Sequence, residues 1–201
     1  MIRNKKDLKF YLERDRIADG YIGKRPKIIG SWSNQIWRYK IFMRKAEYYR
    51  NIEKKNILAK IAGALYLFRY TRLGIKLGFT IPLNVAKEGL SIPHYGTIII
   101  NGNSHIGKNC RIMTGVVIGS TGGVNVAASI GNNVYIGTGS KIIGDLTIGD
   151  AVCIGANSVV TKNIESGITI AGVPAKKISD NSSYANLSAA LIKVSTEEHM
   201  K

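Results

Sequence analysis

Acid is scarce in this 201-residue chain, with 13 Asp or Glu against 29 Lys or Arg, and the resulting +16 sits at one end. Residues 1–76 hold 20 cations and 6 acids, whereas residues 77–201 hold 9 and 7. A run of 18 apolar residues is also lacking, so no membrane-spanning helix is expected. The opening MIRNKKDLKFYLERDR carries charges where a signal peptide needs an apolar centre, and the compartment expected is the cytoplasm. Only two cysteines are present, Cys110 and Cys153, far apart and in no CxxC pattern, which argues against a disulfide framework or a zinc site. No metal is expected, because a three-histidine site needs more than the His94 and His105 that the repeat region offers. What remains, 45% hydrophobic and 21% charged, is enough to bury a core as one large domain or two small ones.

The change of charge coincides with a change of pattern near residue 78. Residues 1–77 read as a basic α-helical N-terminal region. DLKFYLERDRIA places Asp7 as an N-cap ahead of Leu8, Tyr11, Leu12 and Ile17 at helical spacing. Gly20, Gly23, Pro26 and Gly30 then mark a loop. A second helix carries Ile36, Trp37, Ile41, Phe42 and Tyr48 among cations, and a third groups Ile57, Leu58, Ile61, Leu65 and Phe68 toward one side. The basic front reads either as the solvated face of a helical cap or as a surface for an anionic partner, such as a membrane surface or an acidic polymer. Trp32, Trp37 and Tyr39 lie among the cations, but no helix-turn-helix, RNP or zinc-finger pattern accompanies them, so no nucleic acid is expected.

Residues 78–178 carry a strict repeat, followed by a tail over 179–201. Ile100, Ile106, Ile112, Ile118, Val124, Ile130, Ile136, Ile142, Ile148, Ile154 and Val160 fall six apart, and glycine follows the aliphatic at six of these positions. A six-residue period predicts a parallel β-solenoid of roughly four to five triangular coils, each coil three units of strand and turn with the in-phase aliphatic pointing inward. Glycine after the aliphatic suits a corner that needs unusual dihedrals or has no room for a Cβ. Two stretches interrupt the pattern. GSTGGVNVAAS keeps the phase through Val124 but is rich in small residues and is expected to leave the wall as a loop; IPLNVAKEGLSIPHYG places His94 in the inward phase where an aliphatic is expected.

IPHYGTIIINGNSHIGKNC, VYIGTGSKIIGDLTIGDAVCIGANSVVTKNI and AGVPAKKI together resemble the serine-acetyltransferase-like branch of the hexapeptide acyltransferases. The basic front resembles branch members found among polysaccharide and capsule gene products. The resemblance implies a mainly β fold, a left-handed parallel β-helix, assembled as a homotrimer with acetyl-CoA in the crevice between subunits. It implies that His94 is the general base that takes a proton from an acceptor hydroxyl. It places Gly119, Thr138 and Ala156 against the pantetheine arm, and Lys176 with Lys177 near the nucleotide phosphates. His105 is expected at the surface and His199 in the tail.

Departures from the family pattern bear on the acceptor. The aspartate that orients the histidine in serine acetyltransferases aligns with Phe79, the aspartate before the histidine is Pro93, and the second histidine falls at about Ala127. Asn84 or a backbone carbonyl is the expected orienting partner for His94. The leading expectation is therefore an O-acetyltransferase acting on a sugar hydroxyl of a capsule or exopolysaccharide, cytoplasmic and held at the inner membrane face by its basic front. The alternatives are a serine O-acetyltransferase of cysteine biosynthesis and a solenoid scaffold without acyl transfer.

Overall fold

A computed structural model of the chain describes residues 1–20, 32–53, 56–122 and 126–188, with side chains from Asn34 onward in the second stretch. Short strands wind into a parallel solenoid with three walls. The first wall stacks Phe79–Thr80, Ile98–Ile100, Val117–Gly119, Lys141–Ile143 and Val159–Val160. The second stacks His105–Ile106, Ser129–Ile130 and Thr147–Ile148, extended by bridges at Ala86 and Ile164. On the third, Arg111–Ile112, Tyr135–Ile136, Cys153–Ile154 and Thr169–Gly172 follow a bridge at Ser91, and Ala175–Ser179 closes the wall antiparallel. Each wall thus has five levels, the product of five coils.

The six-residue phase is the inner lining. Ile100, Ile106, Ile112, Ile118, Ile130, Ile136, Ile142, Ile148, Ile154 and Val160 are all buried, stacked in register down the axis, while Val124 lies outside the described residues. Each such side chain taken out of water contributes about 1.5–3 kcal/mol. Cys110, Ser140 and Ser158 fill the small positions and are buried too. Burial pushes the Cys110 thiol up to about 12, so it is a packing residue and not a nucleophile. The glycine after the aliphatic serves for room: at Gly107, Gly131 and Gly137 a Cβ would fall closer than 3.0 Å to the neighbouring coil.

Two corners depart from the period. Ile118 to Ile130 spans twelve residues where Ile100 to Ile106 spans six, so the chain has one extra unit between the strands that end at Gly119 and begin at Ser129; residues 123–125, in the middle of the stretch expected to leave the wall, lie outside the described residues. At the other, the pairing of Ser91 with Arg111 puts Ile92 above Ile112, and Ile98 and Ile100 are the next buried residues. Eight residues separate Ile92 from Ile100 where other corners take six. The inward place expected for His94 is therefore filled by Ile92, and the two extra residues push His94 and Tyr95 outward into the open.

Three helices, α1 (Lys5–Ala18), α2 (Trp32–Asn51) and α3 (Ile57–Leu77), cover the first coil. The first begins earlier than expected: the Asn4 side chain accepts from Asp7 N–H at 2.9 Å, and Asp7 accepts from Arg3 N–H at 2.9 Å, a reciprocal cap that Asp7 alone cannot make. Helix α3 ends at Gly78 in the left-handed conformation, and the first wall starts at the next residue.

The open end of a solenoid exposes backbone groups with no coil above them. Charged side chains of α1 and α2 take that place. Asp15 accepts from Gly89 N–H and Leu90 N–H, both at 2.9 Å, and Asp19 accepts from Ile92 N–H at 3.0 Å. Arg44 donates to the Ala86 and Lys87 carbonyls, Lys40 to the Leu90 carbonyl, and Glu47 accepts from Asn84 N–H. The same groups pair with each other, Arg44 with Asp15 and Glu47, Lys40 with Asp19. Burial opposes the charge on Arg44, but Asp15 and Glu47 outweigh it and hold the guanidinium protonated. The solvated-face reading of the basic front thus fails for Lys40 and Arg44, whose side chains are 0% exposed. Trp37 and Tyr39 are buried as well, so they offer no stacking surface. The apolar side of α3, by contrast, faces away from the body: Ile57, Leu58, Ile61, Leu65 and Phe68 are all exposed. Among the described residues no helix is long and apolar enough to cross a membrane.

Candidate active site

His94 stands at the corner where the third wall turns into the first. Below it, coil by coil, the same corner is made by Thr114 and Gly115, then Thr138 and Gly139, then Ala156 and Asn157. Backbone bonds stitch these levels together: Gly115 N–H to Thr97 O at 2.6 Å, Gly139 N–H to Thr114 O at 2.9 Å, and Asn157 N–H to Thr138 O at 2.8 Å. Gly96, Gly115, Gly139 and Asn157 all have positive φ here, which is how the chain turns this edge. The side chains left on the outside are small, and Thr138 and Ala156 are exposed.

Room at this corner is limited at its top. Gly96 has φ +127°, and a Cβ there would strike Thr114 Oγ1. Gly96→Ala is expected to cost roughly 1–3 kcal/mol, read as a lower urea midpoint. Adding Thr114→Ala should restore only the part due to the clash, leaving the dihedral strain.

Lys141 also lies along this corner, and sequence reasoning missed it. Its ammonium donates to the carbonyls of Gly115 at 2.6 Å and Gly139 at 2.9 Å, fixing two successive levels of the corner and placing a half-buried cation along it. The available signal was a lysine in the outward phase of a strand otherwise made of isoleucine.

At the far end of the corner, the third wall's last parallel strand runs into the antiparallel strand Ala175–Ser179, with Lys176 opposite Ala171 and Lys177 opposite Ile170. Both lysines are exposed, and Lys177 pairs with Asp180. The structure therefore aligns His94, Thr138 and Ala156 on one edge that ends near Lys176 and Lys177.

Gly119 and Asn84 lie elsewhere, at the corner between the first and second walls. Gly119 ends its strand beside Ile143, next to the extra unit. Asn84, expected to orient His94, has φ +69° and exchanges two side-chain hydrogen bonds with Asn51 at the end of α2, at 2.7 and 3.1 Å. Its carboxamide is turned to the helices, one wall away from the histidine. Phe79 is buried against the Tyr39 ring at 5.2 Å, and Ala127 is buried too. His105 is exposed on the second wall, beside a cavity of about 300 Å³ under Met1 and Tyr11. That cavity is distant from the His94 corner, which in one chain is an open edge flanked by exposed Tyr95 and Ile99. Among the described residues no cluster of three His, Cys, Asp or Glu is placed to hold a metal.

Known proteins resemble this chain in sequence and fold. A family model described as bacterial transferase hexapeptide (six repeats) matches residues 127–162. The serine acetyltransferase of Buchnera aphidicola subsp. Acyrthosiphon pisum is 31% identical over 181 residues, spanning 88% of this chain and 61% of that protein. The serine acetyltransferase of Staphylococcus xylosus is 32% identical over 176 residues, spanning 86% of this chain and 74% of that one. Among solved structures, the Neisseria gonorrhoeae serine acetyltransferase superposes with a TM-score of 0.58 at 25% identity, over 87% of this chain and 64% of that chain. The Brucella abortus serine acetyltransferase in complex with coenzyme A gives 0.64 at 22%, over 89% and 70%. The chain spans about three fifths of the length of the Buchnera relative. With a walled hexapeptide solenoid, a histidine at its corner and a relative of this identity and coverage, the chain belongs to the serine-acetyltransferase-like branch of the hexapeptide-repeat acyltransferases.

Proposed function

We propose that the chain is an acetyl-CoA-dependent O-acetyltransferase with His94 as general base. One observation carries the reading: His94, Thr138 and Ala156 share one edge of the solenoid, and that edge runs toward Lys176 and Lys177. Four coil steps at about 4.8 Å each give an edge of about 19 Å, long enough for an extended pantetheine arm with its thioester at His94 and its phosphates at the lysines. Small side chains along the edge let an amide chain approach the wall.

In the reaction, the imidazole of His94 takes the proton of the acceptor hydroxyl as its oxygen attacks the thioester carbonyl. The carbonyl oxygen becomes an oxyanion that needs N–H donors, for which the backbone of the corner is the nearest source. When the tetrahedral intermediate collapses, the C–S bond breaks and the departing thiolate takes the proton from His94.

Gly119 joins this site through a second chain. A homotrimer of left-handed β-helices with acetyl-CoA in the crevice between subunits, the assembly the family resemblance implies, would bring the Gly119 corner of one subunit to the His94 corner of the next. Exposed Tyr95 and Ile99 beside His94 support such a contact.

For the acceptor, serine acetyltransferases among the relatives shift the balance from a capsule or exopolysaccharide sugar to L-serine. A sugar hydroxyl stays as the second reading on a specific observation: Phe79 and Ala127 are buried and apolar, and Pro93 precedes His94, so none of the three offers a charge to an amino acid's ammonium or carboxylate. Release of CoA thiol from acetyl-CoA decides between them. Release with L-serine at a rate typical of metabolic enzymes supports the first reading, release only with sugars or oligosaccharides supports the second, and release with neither leaves a solenoid scaffold.

A further inference from the structure

Helix α3 is 21 residues long and contains no Asp or Glu. At 100° per residue, Ile57, Ile61, Phe68 and Ile75 fall within about 40° of one another. They point away from Tyr70, Gly74 and Leu77, which face the body, and they are exposed by 68%, 58%, 60% and 79%. Leu65 and Leu58 widen this stripe only in the first half of the helix, because Arg72 and Lys76 take the same sector farther along. Cations border it on both sides, Lys60 on one and Arg69, Arg72 and Lys76 on the other, all exposed. Between α2 and α3 lies a cavity of about 580 Å³ where Arg38, Arg69, Arg72 and Lys76 surround an apolar floor that includes Phe42 and Leu73.

We propose that α3 is an in-plane docking helix for an anionic lipid surface, its apolar stripe at the acyl boundary and its flanking cations on headgroup phosphates, one of which enters the Arg38–Arg72 cavity. Helix α3 is apolar on two sides, one packed on the body and one left open beside cations, and an open apolar face next to cations carries the two signals that stable attachment to an anionic bilayer takes. Too polar to cross a membrane, α3 has the right pattern to lie on one. A second copy of α3 is the poorer occupant. It would bring four more cations to a face that has no acid to meet them. This inference does not depend on acyl transfer.

The test is flotation of the full chain with phosphatidylcholine vesicles, with and without phosphatidylglycerol. Binding is expected only when phosphatidylglycerol is present, weakened by salt. It should fall at least about tenfold in F68S/I75S and likewise in R69E/R72E, all exposed positions where the helical circular dichroism is expected to stay unchanged. No binding, or equal binding to pure phosphatidylcholine, overturns the proposal. So does binding that F68S/I75S leaves intact, which would mean charge alone, or self-association in solution that F68S/I75S abolishes, which would make a second copy the occupant.

Discussion

Arg44→Met should destabilise the protein by about 3–5 kcal/mol, enough to lower its melting temperature by roughly 6–20 degrees or to send it to the insoluble fraction. The change leaves Asp15 and Glu47 buried as unpaired carboxylates and strands the carbonyls of Ala86 and Lys87, which Arg44 holds at 2.9 and 2.8 Å. Lys6→Met removes an equal charge from the exposed first turn of α1 and should stay within about 0.5 kcal/mol of the parent. Thermal or urea denaturation of both variants checks the difference. Equal midpoints would mean that the front's cations act as a diffuse surface charge and not as a cap.

His94→Ala should lower turnover at least about 100-fold with whichever acceptor supports thiol release, while the KM for acetyl-CoA changes little. The expectation follows from position: His94 is outside the packed wall, so its loss removes a chemical group without opening a core. His105→Ala is the internal control, an exposed imidazole on another wall, and should leave turnover unchanged. If the two variants behave alike, the base lies elsewhere.

The in-phase aliphatics made the walls legible, because a strict period of six leaves one way to bury them all. They did not reveal where His94 points. The period extrapolates to an inward position, and only the pairing of Ser91 with Arg111 exposes the two extra residues that turn the histidine out. Asn84 was a reasonable neighbour by sequence distance, but a solenoid places residues ten apart on different corners. The charged cap was written in the sequence as Asp15 on one helix with Asp19 just past its end, four residues on, and Lys40 and Arg44 four apart on the next. Their partners are backbone groups, and no side-chain pattern announces those. The stripe on α3 was visible as a grouping, whereas its direction depended on Tyr70, Gly74 and Leu77 packing on the other side.

The sealed first coil also governs what the molecule does at high concentration. A stack of coils is a short section of a structure that has no intrinsic length, and an uncapped end would template another solenoid and grow head to tail into a filament. Here the growth surface at one end is occupied by side chains whose charges fix both its donors and its acceptors. At the other end the strand Ala175–Ser179 runs in the wrong direction for a sixth parallel level on the third wall. Loosening the helices from the first coil would therefore cost more than stability: it would open one end of the stack to pairing, and only the reversed strand at the other end would still stand against head-to-tail growth.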